Sequence, residues 1–364
     1  MGDYLNAAKL GSAPLPSNAP QLISTAHQLV SVGKGLLAMD ESNPTCNKRF
    51  AALGIAQTVD KRRAWRELIV TTPGLADSIS GAILYDETIH QKTTDGTLFI
   101  EVLRAAGIIP GIKLDVGAKP LAGCPGEKVT EGLDGLRERL SIYAAMGARF
   151  AKWRAVITLG DALPSRSCID TNAHALARYA ALCQEAGMVP IVEPEILMTG
   201  THTLEQCREV TEETLHSVFH HLYIQNVMLE GIILKPNMLL PGLSCPAQKS
   251  VDEVAIATLN SFLRVVPAAV AGIAFLSGGQ TEQLASARLN AINVLTRSSK
   301  SPVPWPLIFS FSRATQQPAL ELWRGKEAHA DIIAAQNMLR HRASCNCAAL
   351  QGQYSVDMEN GHAL

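Results

Sequence analysis

Gly231-Ile-Ile-Leu-Lys-Pro-Asn-Met238 is a short apolar run that stops at a single lysine followed by a proline. A continuous apolar run, without alternation of polar residues, is typical of a parallel strand whose two faces are both covered. The run therefore predicts a buried strand that carries one ammonium group, that of Lys235, at its carboxyl end.

Seven other segments have the same design, and each is followed by a stretch with helical spacing. The eight segments cover residues 35–40, 82–87, 109–115, 150–157, 189–195, 232–235, 273–277 and 307–313. Eight strand–helix units predict an α/β fold of the (β/α)₈ TIM-barrel type, which takes about 250 residues and tolerates insertions. Residues 130–140 are an example of the outer helices, because Leu133, Leu136 and Leu140 form one apolar stripe.

The chain of 364 residues is long enough for one large barrel or for two smaller domains. The eight segments favour a single barrel domain over residues 1–350, including an N-terminal extension. The first twenty residues are rich in Gly, Ala, Pro and Ser, and residues 351–364 are polar and have no helical or strand period. We expect both ends to be flexible, residues 351–364 as a C-terminal tail.

Composition excludes several classes of partner. The formal net charge is −1, so no overall field attracts nucleic acid or an anionic membrane, and the apolar runs are too short for a membrane span. The N-terminus lacks the basic and apolar regions of a secretory signal. The eight cysteines contain no C-x-x-C pair, which is typical of free thiols in a reducing compartment. These features predict a cytoplasmic protein.

No cofactor or metal is predicted. His216, His220 and His221 have i, i+4 spacing, but the leucines, valine and phenylalanine between them indicate an ordinary amphipathic helix. Gly33-Lys-Gly35 lacks the third glycine of a dinucleotide-binding fingerprint and precedes a strand.

In a barrel of this type all strands end around one mouth, where active sites lie. The predicted strand ends are rich in ionisable groups: Asp40 with Glu41, Asp86 with Glu87, Lys113 with Asp115, Lys152 with Arg154, Glu193 with Glu195, Lys235, and Ser310 with Arg313. Residues two apart on a strand share a face, so each such pair points the same way. A structural salt bridge would explain any one pair, but it does not explain the whole ring.

Lys235 is the candidate nucleophile. A buried lysine close to other cations loses its proton more easily and can attack a carbonyl carbon, which is Schiff-base chemistry. The alternative is a lysine that extends from a strand end to pair with a carboxylate. Lys152 would destabilise the ammonium form of Lys235, and Glu193 would carry protons if burial raised its pKa toward neutrality.

Two groups of residues suit phosphate. Ser277-Gly278-Gly279 ends the seventh strand and Ser312-Arg313 ends the eighth, where many barrels bind phosphate through backbone N–H groups. Across the mouth, a second anion would be held by residues after strand one and on two neighbouring strands: Ser42, Thr45, Lys48, Arg49, Lys113 and Arg154. A substrate with an anion at each end fits this arrangement.

The longer motifs give a resemblance. Gly33-Lys-Gly-Leu-Leu-Ala-Met-Asp-Glu-Ser42, Phe150-Ala-Lys-Trp-Arg154, Val189-Pro-Ile-Val-Glu-Pro-Glu-Ile196, Leu229-Glu-Gly-Ile-Ile-Leu-Lys-Pro-Asn-Met238 and Phe275-Leu-Ser-Gly-Gly-Gln280 stand in the chain. With these motifs the chain resembles class I fructose-1,6-bisphosphate aldolase, the metal-independent type, over nearly its whole length. The resemblance implies reversible cleavage to dihydroxyacetone phosphate and glyceraldehyde 3-phosphate in glycolysis and gluconeogenesis.

The resemblance also implies residue roles and assembly. Lys235 matches the Schiff-base lysine, Glu193 the proton-transfer residue, and Asp40, Lys152 and Glu195 the groups that position them. The C1-phosphate site is matched by Ser277, Gly278, Ser310 and Arg313, with Gly279 beside them. The other phosphate side is matched by Ser42, Thr45, Lys113 and Arg154, with Arg49 in the substrate-binding set. Relatives are commonly homotetramers.

Three positions differ from the usual pattern of that family. Ser312 and Pro44 stand where glycine is usual, and the chain ends in Leu364 where relatives commonly end in tyrosine. Leu364 and Ser312 favour a second interpretation, an aldolase shifted toward fructose 1-phosphate or another monophosphate ketose. A third interpretation is a weakly active barrel that serves as a scaffold or a cytoskeletal binding partner.

Overall fold

The computed structural model describes residues 16–298 and 303–360. The strands in these residues are β1 Gly35–Ala38, β2 Ile79–Leu84, β3 Ile109–Lys113, β4 Ala118–Pro120, β5 Lys128–Thr130, β6 Phe150–Ile157, β7 Val189–Ile196, β8 Ile233–Leu234, β9 Gly272–Phe275 and β10 Leu307–Phe311. Eight of them form a closed barrel in the order β1-β10-β9-β8-β7-β6-β3-β2, and every pair is parallel. The predicted (β/α)₈ barrel is confirmed, with each predicted strand in its place.

Helices surround the barrel. They are α1 Ala19–Leu29, α2 Asn43–Ala52, α3 Val59–Val70, α4 Asp86–Ile89, α5 Phe99–Ala105, α6 Leu136–Met146, α7 Arg166–Glu185, α8 Leu204–Ile224, α9 Val251–Val265, α10 Glu282–Ser298, α11 Arg313–Trp323 and α12 His329–Leu350. Short 3₁₀ turns occupy Leu75–Asp77, Leu229–Gly231 and Val356–Asn360. No helix in the described part of the chain is long and apolar enough to span a bilayer.

Helix α1 belongs to the predicted N-terminal extension and covers the amino-terminal end of the barrel. The helix packs so closely that a Cβ on Gly81 of β2 would lie 2.6 Å from a methyl group of Leu29. A Cβ on Gly272 of β9 would lie 2.6 Å from Val30, which follows the helix directly. Because this end is filled, the accessible mouth is the one formed by the carboxyl ends of the strands.

The predicted outer helix at residues 130–140 begins later than expected. Thr130 ends β5, which pairs antiparallel with β4 in a small two-stranded sheet that the sequence did not indicate. Gly132 and Gly135 both take positive φ angles, of 128° and 62°, which interrupt a right-handed helix before α6 starts at Leu136. Leu133 therefore lies ahead of the helix.

The predicted flexible tail needs a correction up to residue 360. The tail contains a 3₁₀ turn that its polar composition did not indicate. A buried ion pair stabilises this turn, since Arg342 Nη1 of α12 lies 2.5 Å from Glu359 Oε2. Tyr354 donates its hydroxyl to the same carboxylate over 2.7 Å, and its backbone N–H donates to Asn290 of α10. Residues 351–360 therefore pack on the barrel helices, whereas residues 361–364 lie outside the described residues.

Candidate active site

A cavity of ≈ 810 Å³ opens at the carboxyl ends of the barrel strands. Its lining contains every residue to which the family resemblance gave a catalytic or substrate-binding role: Asp40, Ser42, Thr45, Arg49, Lys113, Lys152, Arg154, Glu193, Glu195, Lys235, Ser277, Gly278, Gly279, Ser310 and Arg313. They come from all parts of the chain, and the closed parallel barrel brings them together because all its strands end on this side.

Lys235 lies at the bottom of the cavity, immediately after β8. Its backbone N–H still donates to Val192 O of the neighbouring strand, over 2.8 Å, which fixes the direction of the side chain. The side chain is 4 % exposed, and its Nζ lies 3.1 Å from Glu193 Oε1. A buried lysine is thus in hydrogen-bonding distance of one buried carboxylate.

Lys152 lies between several carboxylates. Its Nζ is 2.7 Å from Asp40 Oδ2, 3.2 Å from Glu193 Oε2 and 4.0 Å from Asp115 Oδ2. Burial acts to lower the pKa of Lys152, but these three negative charges outweigh it and raise the pKa above its usual value. Burial likewise acts to raise the pKa of Asp40, and Lys152 and Lys235 outweigh it, so that this pKa is lowered. Lys152 is therefore a permanent cation at neutral pH.

The condition that burial raises the pKa of Glu193 toward neutrality is not met. Burial acts to raise this pKa, but the positive charges of Lys152, Lys235 and Arg154 outweigh it, and the pKa is lowered. Glu193 is therefore a carboxylate before substrate enters. Its Oε2 is buried and receives no aligned hydrogen bond from the described residues, although Lys152 lies within ion-pair distance. This oxygen has lone pairs available for a substrate hydroxyl.

Glu195 and Arg154 form the next pair on the wall. Arg154 Nε lies 2.5 Å from Glu195 Oε2, and the backbone N–H of Arg154 donates to Asp115 Oδ2 over 3.3 Å. Asp115 also receives Lys113, whose Nζ lies 2.7 Å from its Oδ1. These contacts hold two cations of β3 and β6 at the rim, facing the cavity.

One anion site is formed after β9 and β10. Gly278 and Gly279 have φ angles of 56° and 83°, values that glycine adopts without strain, and the loop leads directly into α10. Arg313 is the first residue of α11, and a Cβ on Gly279 would lie 3.6 Å from its Nη2. Ser310 is 1 % exposed, and its Oγ has no hydrogen-bond partner among the described residues. An unpaired hydroxyl beside two helix N-termini and an arginine suits a phosphate group.

The opposite wall carries α2. Ser42, which precedes this helix, lies 3.0 Å from Thr45, hydroxyl to hydroxyl. Arg49 Nη1 lies 2.5 Å from Glu41 Oε1, so its charge is partly neutralised. Pro44 occupies the first turn of α2, where its missing N–H leaves no helical hydrogen bond unmade. The proline at position 44, where the family usually has glycine, is therefore accommodated in a helix.

Ser312, which stands where the family usually has glycine, takes no strained backbone conformation. Its φ angle of −105° is an ordinary value for any residue. Its hydroxyl turns toward the α2 side and donates to Glu41 Oε1 over 2.6 Å, and Arg49 Nη2 donates to the same hydroxyl over 3.2 Å. The sequence placed Ser312 at the phosphate-binding end of the eighth strand and Glu41 at the end of the first, but it did not predict the contact between them.

One predicted strand end does not reach the cavity. Strand β2 stops at Leu84, and Asp86 and Glu87 lie in the short helix α4, which turns them outward. Glu87 pairs with two arginines of α3, Arg62 and Arg66, and Asp86 accepts the hydroxyl of Tyr143. These carboxylates stabilise the packing of helices around the barrel.

Comparison with known proteins agrees with this geometry. The family model for class I fructose-bisphosphate aldolase matches residues 21–363. The chain belongs to the class I fructose-bisphosphate aldolase family. It is 55% identical over 334 residues to a probable fructose-bisphosphate aldolase class 1 of Xanthomonas axonopodis pv. citri, covering 92% of this chain and 98% of that one.

Other aldolases are similar over the same extent. Fructose-bisphosphate aldolase of Dictyostelium discoideum is 48% identical over 95% of this chain and 96% of its own. The fructose-bisphosphate aldolase of Plasmodium falciparum, solved in complex with TRAP and a small-molecule inhibitor, superposes with a TM-score of 0.90 at 44% identity, covering 94% of this chain and 97% of that one. The chain is thus an aldehyde-lyase with the aldolase barrel.

Proposed function

We propose that Lys235 forms the Schiff base through which this aldolase cleaves fructose 1,6-bisphosphate. The observation that carries the proposal is the 3.1 Å contact between Lys235 Nζ and Glu193 Oε1 in a buried pocket at the carboxyl end of the barrel. Of the two buried lysines in the described residues, Lys152 lies within 4.0 Å of three carboxylates and stays charged, whereas Lys235 lies in ion-pair distance of one. Lys235 is therefore the less enclosed of the two amines, and Glu193 is the carboxylate within its reach.

The reaction begins with attack of Lys235 Nζ on the C2 carbonyl carbon, which forms a C–N bond and a carbinolamine. Loss of water, with the proton supplied by Glu193, leaves a protonated imine that withdraws electrons from C3. Glu193 then accepts the proton of the C4 hydroxyl as the C3–C4 bond breaks, and glyceraldehyde 3-phosphate leaves. Protonation of the enamine at C3 and hydrolysis of the imine release dihydroxyacetone phosphate and restore the amine.

The low pKa of Glu193 is consistent with this cycle. A carboxylate is the form that accepts the proton of Lys235 or of the C4 hydroxyl, and its charge stabilises the iminium cation that replaces the ammonium group. Lys152 keeps its own proton throughout and holds Glu193 and Asp40 in place. Asp40 and Glu195 thereby act by positioning, through Lys152 and Arg154 respectively.

Both ends of the substrate have a place in the cavity. We assign the C1 phosphate to the loop of Ser277, Gly278 and Gly279 with Ser310 and Arg313, since this group combines backbone donors, an unpaired hydroxyl and a cation. The C6 phosphate is assigned to the opposite wall, which carries Ser42, Thr45, Arg49, Lys113 and Arg154. In this assignment the six-carbon chain spans the cavity between the two walls, and its C2 is the atom that Lys235 attacks.

Borohydride trapping tests the nucleophile. Incubation with dihydroxyacetone phosphate and sodium borohydride, followed by peptide mass spectrometry, should place the reduced adduct on Lys235 of the wild-type protein. Lys235→Met should abolish both the adduct and cleavage, and EDTA should leave wild-type activity unchanged. Full activity in Lys235→Met, or an adduct on Lys152, would overturn the assignment.

The substrate preference, location and assembly are further parts of the proposal. The bisphosphate is favoured because both phosphate walls are present; the pairing of Arg49 with Glu41 and Ser312 is the observation that favours a shift toward fructose 1-phosphate, which lacks the C6 phosphate. Leu364, the other position in question, lies outside the described residues.

We also propose that the protein is a cytoplasmic homotetramer. A similar Arabidopsis thaliana protein, 48% identical, is named cytosolic. The ratio of catalytic efficiencies on the two sugars and the mass in solution test these points.

A further inference from the structure

Arg288 on α10 is a buried arginine that has no carboxylate partner in the part of the chain that the structure describes. It is 5 % exposed, and its Nη1 donates to the neutral side-chain oxygen of Gln280 over 3.0 Å. Its Nε has no hydrogen-bond partner, and no ion pair reaches it from the described residues. Burial lowers its pKa to about 10, so the group still carries its positive charge at neutral pH.

This arrangement differs from the other buried arginines. Arg62 and Arg66 share Glu87, and Arg342 pairs with Glu359. A buried charge without a counter-ion reduces the stability of the folded state, because the lost hydration is not replaced by an opposite charge. We therefore expect the counter-ion of Arg288 to be an anionic ligand and not a side chain of the protein.

Gln280 connects Arg288 to the cavity. Gln280 lines the cavity wall, and its side-chain Nε2 donates to Ser277 O over 2.9 Å while its Oε1 accepts from Arg288. Its backbone N–H also donates to Ser277 O, over 3.1 Å. The side chain of Gln280 thus stabilises the loop of Ser277, Gly278 and Gly279 through its hydrogen bond to Ser277 O. Arg288 in turn orients the side chain of Gln280 by donating to its Oε1.

We propose that Arg288 is a positioning residue of the C1-phosphate site, whose charge becomes neutralised only when the phosphate dianion is bound. The inference rests on the proposed assignment of the C1 phosphate to the loop at Ser277. Arg288 acts in two ways: it orients the loop through Gln280, and its unpaired charge attracts the dianion through a medium of low polarity, where water screens it little. It does not touch the reacting carbon atoms.

The condensation direction gives a test with an internal control. Dihydroxyacetone phosphate brings the future C1 phosphate, and glyceraldehyde 3-phosphate brings the future C6 phosphate. For Arg288→Met we expect the KM for dihydroxyacetone phosphate to rise roughly tenfold, the loss expected for one buried charge near a dianion. The KM for glyceraldehyde 3-phosphate and the kcat should stay within about twofold, and Arg288→Lys, which keeps the charge, should recover most of the affinity.

Thermal stability separates this role from simple packing. Arg288→Met removes an unneutralised buried charge, so its Tm without ligand should equal or exceed that of the wild-type protein. Arg62→Met is the matched control, since Arg62 is equally buried but paired with Glu87 and is not among the residues that line the cavity. This variant should lose stability while its KM for dihydroxyacetone phosphate stays unchanged.

The possible outcomes are distinct. If Arg288→Met loses stability and both KM values rise together, the residue serves packing and the inference is overturned. If Arg288→Met leaves the KM for dihydroxyacetone phosphate unchanged while Arg313→Met raises it, the phosphate assignment stands and only the role of Arg288 falls. If Arg313→Met and Ser277→Ala also leave this KM unchanged, the assignment of the loop fails, and the inference fails with it.

Discussion

Ser312 Oγ donates a hydrogen bond to Glu41 Oε1 over 2.6 Å and accepts one from Arg49. This contact joins the start of α11, on the C1-phosphate side, to α2 on the other side of the cavity. Glu41 and Ser312 together hold the side chain of Arg49. A C6 phosphate that uses Arg49 must compete with both partners.

The variant Ser312→Gly should strengthen binding of the bisphosphate. Without the hydroxyl, Arg49 keeps only its ion pair with Glu41 and is released more easily, so the KM for fructose 1,6-bisphosphate should fall about threefold, equivalent to one lost hydrogen bond. The KM for fructose 1-phosphate, which has no C6 phosphate, should not change. Steady-state kinetics on both sugars measure the ratio. Equal shifts on the two sugars would show that Ser312 acts on the C1 site instead.

Replacement of Lys152 by methionine should change the pH profile as well as the rate. Because the charge of Lys152 lowers the pKa of Glu193, its removal raises that pKa, and the acidic limb of kcat/KM moves to higher pH. We expect a loss of kcat of roughly 10²-fold at neutral pH, the usual size for a mispositioned proton-transfer group. Lys48→Met, a change in another lysine of the cavity lining that contacts none of these carboxylates in the described residues, is the control. An unchanged acidic limb would contradict the assigned coupling.

Asp40→Asn should reduce stability at neutral pH by about 3 kcal/mol, because Lys152 loses its closest buried counter-ion. The pKa of Asp40 is lower in the folded chain than its ordinary value of 3.8, so this contribution is complete above that value. It is lost as the pH falls below 3.8 toward the folded pKa. Urea unfolding of both proteins at several pH values should therefore show a difference at pH 7 that shrinks only in acid. A constant difference down to pH 2 would show that the ion pair is not its source.

Glu359→Gln should loosen the segment after α12. The change leaves Arg342, which is 1 % exposed, without its counter-ion, and we expect a loss of about 3 kcal/mol. Limited proteolysis should cut faster after residue 350 than in the wild-type protein. Asp357→Asn is the matched control, because Asp357 is an exposed carboxylate on the same 3₁₀ turn. Equal protease sensitivity of the two variants would contradict a specific role for the ion pair.

Much of the site could be predicted from the sequence, because in a parallel barrel the carboxyl ends of all strands lie at the same mouth. Once Lys113, Lys152, Glu193 and Lys235 are recognised at the ends of parallel strands, closure of the sheet places them at one mouth. Asp86 and Glu87 were misplaced because a strand end followed at once by a helix looks the same in sequence as one followed by a loop. The late start of α6 was missed because the sequence does not state which glycines take positive φ.

Other features depend on distances between residues that are far apart in the chain. Glu41 and Ser312 are separated by 271 positions, and only closure of β1 against β10 brings them together. The pKa of Glu193 also depends on residues that are far apart in the chain. Burial raises this pKa and the charges of Lys152, Lys235 and Arg154 lower it, so the direction of the shift is decided by their distances from the carboxylate.

By itself, the sequence determined the (β/α)₈ fold, the family and the residues around the mouth, because apolar strand periods and residue types are local properties of the chain. The tertiary structure decided which of these charges are paired. Among the described residues, Lys152 lies close to three carboxylates, Lys235 lies close to Glu193 alone, and Arg288 has no carboxylate partner. Coulomb energies depend on separation and burial, which no local pattern contains.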